Sequence, residues 1–210
     1  MVSPHQYRPQ DPVITSVLSD GSEPLILHIH CYVNHTYNIG SGDGLLKLIA
    51  QSHLQSQSNA SLIVCENKRD TINHELAHCQ FTDKARLNDV GFKCDTSGIP
   101  SALWWSDVQQ NTPFSIQYRF TAAIHLPSQV ISDFSEAWRP RVFTWKNKSR
   151  LMLVDEETDT VAAIFEDVKT DSTKCGTLQV LVPFDDDFYL TALTSFLAVY
   201  DRLKMNYNAE

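Results

Sequence analysis

The stretch from Phe188 to Met205, FYLTALTSFLAVYDRLKM, constrains the fold more than any other part of the chain. Phe188, Tyr189, Leu190, Leu193, Phe196, Leu197, Val199, Tyr200 and Leu203 fall on every side of a helical wheel, and Thr191, Thr194 and Ser195 are small. A helix that is apolar all round needs burial on all sides. Asp185, Asp186 and Asp187 precede it, and Arg202 and Lys204 stand near its end, which matches the helix dipole at both termini. Eighteen residues would span about 27 Å. The apolar run before Asp201 is too short for a bilayer, so no transmembrane segment is expected. The rest of the chain therefore has to supply a wrapper.

That wrapper reads as short strands. Leu25–Val33 alternates, with Leu25, Leu27, Ile29, Cys31 and Val33 on one face and Ile26, His28, His30 and Tyr32 on the other. Phe114–Leu126 alternates more cleanly: Tyr118, Phe120, Ala122 and Ile124 share a face opposite Gln117, Arg119 and Thr121. Leu45–Ala50, Ser61–Cys65, Arg141–Trp145, Leu151–Asp155, Val161–Glu166 and Thr177–Val182 add further short strands. The glycines of 38–44 (NIGSGDG) predict a turn, and 51–60 a polar loop. Consecutive short strands with little helix between them point to antiparallel pairing and a closed sheet. The expected fold is mainly β: a closed antiparallel β-barrel around a buried C-terminal hydrophobic α-helix. Residues 1–19 read as a flexible N-terminal arm and 20–210 as a single barrel domain.

Composition narrows the function. The chain has 210 residues and a formal net charge of -8, which argues against nucleic acid as a partner. Its five cysteines include no C-x-x-C pair, and MVSPHQYRPQDPVIT has neither a basic n-region nor an apolar h-region. Reduced thiols and a cytoplasmic location are expected. The sequons at Asn34, Asn59 and Asn147 are then chance matches.

One catalytic motif occurs. His74-Glu75-Leu76-Ala77-His78 fits H-E-x-x-H, in which a helix brings two imidazoles to one zinc and the glutamate serves as general base. The same residues also alternate as a strand, and positions four apart on a strand stand roughly 13 Å from each other. No third ligand follows at a recognised spacing, so the strand reading is preferred and no metal is expected. A zinc hydrolase using His74, Glu75 and His78 is the minor alternative. There is no Walker A, no G-x-G-x-x-G and no G-x-S-x-G, and no cofactor is expected.

Taken together, RVFTWK (141–146), LMLVDEET (151–158), VAAIF (161–165), CGTL (175–178) and the apolar terminal helix resemble fungal members of the tubby C-terminal-like superfamily. That group also holds the phospholipid scramblases and the LURP-one-related proteins. Ala77–Phe81, Trp104 or Trp105, and Tyr118–Phe120 fit the pattern more loosely. The resemblance covers roughly residues 20 to 205 and implies a barrel of about twelve strands closed round the helix. Tubby proteins bind phosphoinositides through clustered Lys and Arg. The nearest counterparts here are Arg139, Arg141, Lys146, Lys148 and Arg150.

The first functional expectation is a barrel that binds a hydrophobic small molecule in an aromatic-lined pocket. In its catalytic form it would be a cofactor-free cyclase or isomerase, a pericyclase acting on a fungal terpenoid or polyketide of secondary metabolism. Such chemistry needs shape and a few hydrogen-bond donors and leaves no motif. His28, His30 and Arg119 are the candidate catalytic groups, and Tyr32, Trp104, Trp105, Tyr118 and Trp145 the candidate ligand-binding ones. The second expectation is an adaptor that binds a lipid headgroup or membrane surface without catalysis.

Overall fold

The computed structural model describes residues 23–32, 35–52, 61–67, 74–81, 92–95, 105–106, 109–112, 115–125, 138–147, 150–168, 174–182, 184 and 188–207. The early strands are β1 (Leu25–Tyr32), β2 (Thr36–Ser41), β3 (Lys47–Ser52), β4 (Ser61–Glu66), β5 (His74–Phe81), β6 (Phe92–Asp95) and β7 (Trp105–Ser106). The later ones are β8 (Gln109–Thr112), β9 (Ser115–His125), β10 (Trp138–Asn147), β11 (Leu151–Asp155), β12 (Thr160–Asp167) and β13 (Lys174–Val180). The helix α1 (Phe188–Tyr207) follows. All thirteen strands among the described residues belong to one sheet in the order β7-β6-β5-β4-β3-β2-β1-β13-β12-β11-β10-β9-β8. Every ladder is antiparallel. No ladder joins β7 to β8 among the described residues, although β7 lies against β9, next to the opposite end.

The helix does what its sequence demands. Phe188, Leu190, Leu193, Phe196, Leu197 and Val199 are buried, and so are Thr194, Ser195 and Asp201. Contacts reach α1 from β4, β5, β6, β9 and β13, so strands from both halves of the sheet cover it. Phe196 is the hub: its ring centroid lies 4.3 Å from Phe165, 5.3 Å from Tyr200 and 5.8 Å from Trp145. The carboxylates 185–187 expected to cap the helix lie outside the described residues. No described helix is long and apolar enough to cross a membrane.

Two polar contacts tie helix to sheet. Trp145 Nε1 donates to Ser195 Oγ at 3.0 Å, and Ser195 Oγ donates to Ala192 O at 3.1 Å. The Tyr37 hydroxyl donates to Asp201 Oδ1, and His35 Nδ1 is 3.6 Å from the same oxygen. Burial first, then the Asp201 carboxylate, pushes the Tyr37 hydroxyl far above the usual tyrosine range. Trp145, Ser195, Tyr37 and Asp201 thus meet partners across the core, which lowers the cost of burying them.

Strand alternation sets the inner face. Leu27 and Ile29 of β1, Tyr37 and Ile39 of β2, Leu48 and Ala50 of β3, and Leu62 and Val64 of β4 all point into the core. The turn expected over 38–44 begins later than its glycines suggest. β2 continues to Ser41 because Tyr37, Ile39 and Ser41 alternate inward, and the reversal falls on Gly42–Gly44, with Gly44 at φ +73°. On β13, Gly176 approaches β12 so closely that a Cβ would stand 2.3 Å from Glu166 O and 2.5 Å from the Phe165 ring. Only glycine fits a backbone approach of that kind.

Candidate functional site

The outer face of β1 carries the stripe Ile26, His28, His30, Tyr32, the residues left over once Leu27 and Ile29 turn inward. Register fixes their neighbours. His28 faces Gly40 on β2, and Gly40 faces Lys47 on β3. His30 faces Asn38 on β2 and Lys174 on β13. Adjacent strands are about 4.8 Å apart, so Gly40 leaves a bare patch of backbone between the imidazole of His28 and the stem of Lys47. The result is an open hollow of about 270 Å3, whose polar lining comes from His28, His30, Asn38, Ser41, Lys47 and Asn67. The backbone of Asn67 donates to Lys47 O at 2.9 Å, which brings its side chain to the rim.

The groups differ in how free they are. Ser41 Oγ donates to Asp43 Oδ1 and accepts from Leu46 N at 2.9 Å, so it serves its own turn. Those turn hydrogen bonds, from Ser41 first and the Leu45 backbone second, hold the Asp43 carboxyl below the usual carboxylate range. His28 Nδ1 is buried and has no hydrogen-bond partner among the described residues. Lys47 and Lys174 form no ion pair among the described residues. Two imidazoles and two ammonium groups thus share one face of the sheet, in a protein whose net charge is -8.

The exposed large apolar side chains flank the hollow, Ile26 and Leu45 at one end and Tyr32 at the other. Ile26, Tyr32 and Leu45 are the exposed large hydrophobics among the described residues, at 39%, 49% and 86%. Ile26 precedes His28 by two residues and Tyr32 follows His30 by two, each about 7 Å along the strand. Leu45 lies in the β2–β3 turn, which is held to β1 by Gly42 N donating to Ile26 O at 3.2 Å. A polar hollow with an apolar margin suits an amphiphile better than a wholly polar or wholly apolar molecule.

The other candidates stand elsewhere. Tyr118 and Trp145 face the packed interior. Arg119, on β9, pairs with Glu156 at 2.8 Å. Trp105 enters β7, while Trp104 lies outside the described residues. His74, Glu75 and His78 lie on strand β5, and Glu75 Oε1 is 3.3 Å from His78 Nδ1. The strand spacing separates positions 74 and 78 by roughly 13 Å. No cluster of three metal-ligating side chains occurs among the described residues.

Two arginines of the basic segment considered for a lipid headgroup are already matched with carboxylates. Arg141 pairs with Asp155 and lies 2.9 Å from Glu157, and Arg150 is 2.9 Å from Glu166. Lys148 lies outside the described residues. His28, His30 and Tyr32 stand out in the sequence, whereas Asn38, Gly40, Lys47, Asn67 and Lys174, which share this face of the sheet, do not. The alternation Tyr37-Asn38-Ile39-Gly40-Ser41 was the available signal, masked by the glycines that follow it. No protein-family model, no curated protein and no solved structure matches the chain.

Proposed function

We propose that the protein binds a small amphiphile on the outer face of β1–β3. An anionic head, carboxylate or phosphoryl, sits in the hollow over Gly40, and an apolar body lies along Ile26 and Leu45. The observation that carries this reading is the coincidence of the exposed apolar side chains with the hollow lined by His28, His30 and Lys47. The volume of about 270 Å3 lies just below the range of roughly 300–1,000 Å3 for drug-sized pockets. It fits a head group better than a whole ligand. The hydrophobic-ligand expectation is kept in this form, with the aromatic pocket replaced by a polar hollow and an apolar rim. The lipid-adaptor reading gains less support, because a headgroup at Arg141 or Arg150 would have to displace Asp155, Glu157 or Glu166.

The scaffold belongs to the same proposal. The sheet curls round α1 as a barrel, the architecture that the tubby-like resemblance implies. Support comes from β7 lying against β9 and from the coverage of α1 by β4, β5, β6, β9 and β13. The interior is then occupied by the helix and its aromatic partners, which leaves the outer surface for ligands.

Decanoate is a suitable probe, with titration calorimetry as the readout. Gly40→Val fills the hollow without removing a polar group. A Cβ there meets only Leu46 O at 3.8 Å, and valine suits a strand, so the fold is expected to survive. Decanoate affinity should fall at least about tenfold in Gly40→Val. Lys47→Ala, which removes a charge-assisted contact of roughly 1.5–3 kcal/mol, should cost about ten- to a hundredfold. Unchanged affinity in both variants would sink the proposal.

A further inference from the structure

We propose that Cys31 and Cys175 are an oxidisable thiol pair that closes a disulfide between β1 and β13 when the protein meets a peroxide. The pair is independent of the ligand reading above. Cys31 continues the inward stripe of β1 after Leu27 and Ile29. On β13 the register passes from Ile29↔Gly176 to His30↔Lys174, so Cys175 is the extra residue of a β-bulge. That bulge turns two successive residues, Cys175 and Gly176, toward the core instead of one. Facing Cα atoms on antiparallel neighbours are roughly 4.5–5.5 Å apart, inside the span of about 4.4–6.8 Å that a disulfide bridges. Cys175 lies beside such a facing position, near enough for the Cys31 sulfur to act on its thiol electrostatically.

The surroundings assign different roles to the two sulfurs. Cys175 is 6% exposed and lies near Tyr200, whose ring carries Lys204 Nζ at 4.6 Å from its centroid. Burial, then the neighbouring Cys31, pushes the Cys175 thiol up to about 11, so it rests as a protonated thiol. Cys31 is only half-buried and is the sulfur a solvent-borne oxidant meets first. Its thiolate attacks one oxygen of hydrogen peroxide, breaking the O–O bond and giving a sulfenic acid and hydroxide, which takes a proton to become water. The Cys175 sulfur then attacks the sulfenic sulfur, the S–O bond breaks, and its thiol proton leaves with the hydroxyl as a second water. Two thiols lose two electrons in all, and one peroxide becomes two waters.

The test uses the folded full-length chain. The protein is treated with hydrogen peroxide, remaining thiols are blocked with N-ethylmaleimide, and the protease digest is read by mass spectrometry without reduction. The expected product joins the Cys31 and Cys175 peptides with loss of two hydrogen atoms. It should disappear on treatment with dithiothreitol, and its yield should not depend on protein concentration. In Cys175→Ala, Cys31 should instead be recovered as sulfinic or sulfonic acid. The wild-type map decides the matter even if that variant misfolds. Recovery of Cys175 blocked by maleimide while Cys31 is over-oxidised, or Cys31 joined to any other cysteine, would overturn the proposal.

Discussion

Phe196→Ala is expected to destabilise the protein by about 3–5 kcal/mol, the usual cost of emptying a large aromatic site in a core. Phe196 is fully buried in α1 and touches rings from three directions: Phe165 on β12, Trp145 on β10 and Tyr200 one turn further along the helix. Its removal leaves a cavity that those rings cannot all close, because Trp145 is held by its hydrogen bond to Ser195. Phe196→Leu should lose much less, since most of the volume is kept. Urea denaturation of the three proteins provides the comparison. A loss below about 1 kcal/mol for the alanine variant would mean that the helix is not the centre of the core.

The second large effect is expected at Asp155. Its carboxylate is fully buried at the β11–β12 turn, where it accepts from Arg141, from Glu157 N at 3.0 Å and from Thr158 Oγ1 at 3.0 Å. Arg141 is itself only 14% exposed. Asp155→Ala would leave that guanidinium with Glu157 alone, a 58% exposed residue whose contribution is screened by water. Breaking a mostly buried pair from one side costs about 3–5 kcal/mol, whereas replacing both partners by apolar groups is often close to neutral. Asp155→Ala should therefore be strongly destabilising, and adding Arg141→Met should restore part of the loss. Additive losses in the double variant would contradict this account of the pair.

These two sites also show what the sequence revealed about the fold. The helix could be read because its apolar residues leave no solvent face. Strands β1 and β9 could be read because their alternation is clean and long enough to exclude helix periodicity. Strands β6, β7 and β8 escaped notice: each has at most four residues, too few for a period of two to stand out from a loop. Residues such as Gln109, Gln110 and Asn111 carry no apolar pattern at all. Strand β2 was missed for another reason. Gly40, Gly42 and Gly44 look alike in sequence, yet Gly40 sits in a ladder and Gly44 takes the positive φ of the turn.

The site was half legible. His28 and His30 attract attention because two imidazoles on one strand face are uncommon. Lys47 and Lys174 are far from them in sequence, and only the strand order β3-β2-β1-β13 brings all four onto one surface. Aromaticity misled in the opposite direction. Trp145 and Tyr118 look like ligand platforms in sequence, but their strand positions bury them, Trp145 against the helix, where burial of large rings stabilises the core.

The most direct test of amphiphile binding is an NMR titration of protein labelled with nitrogen-15 in its histidines, with decanoate added stepwise. The binding account predicts that the imidazole signals of His28 and His30 move together and saturate, while that of His78 on β5 stays in place. A saturable response that leaves His28 and His30 unmoved, or no response at all, would contradict it.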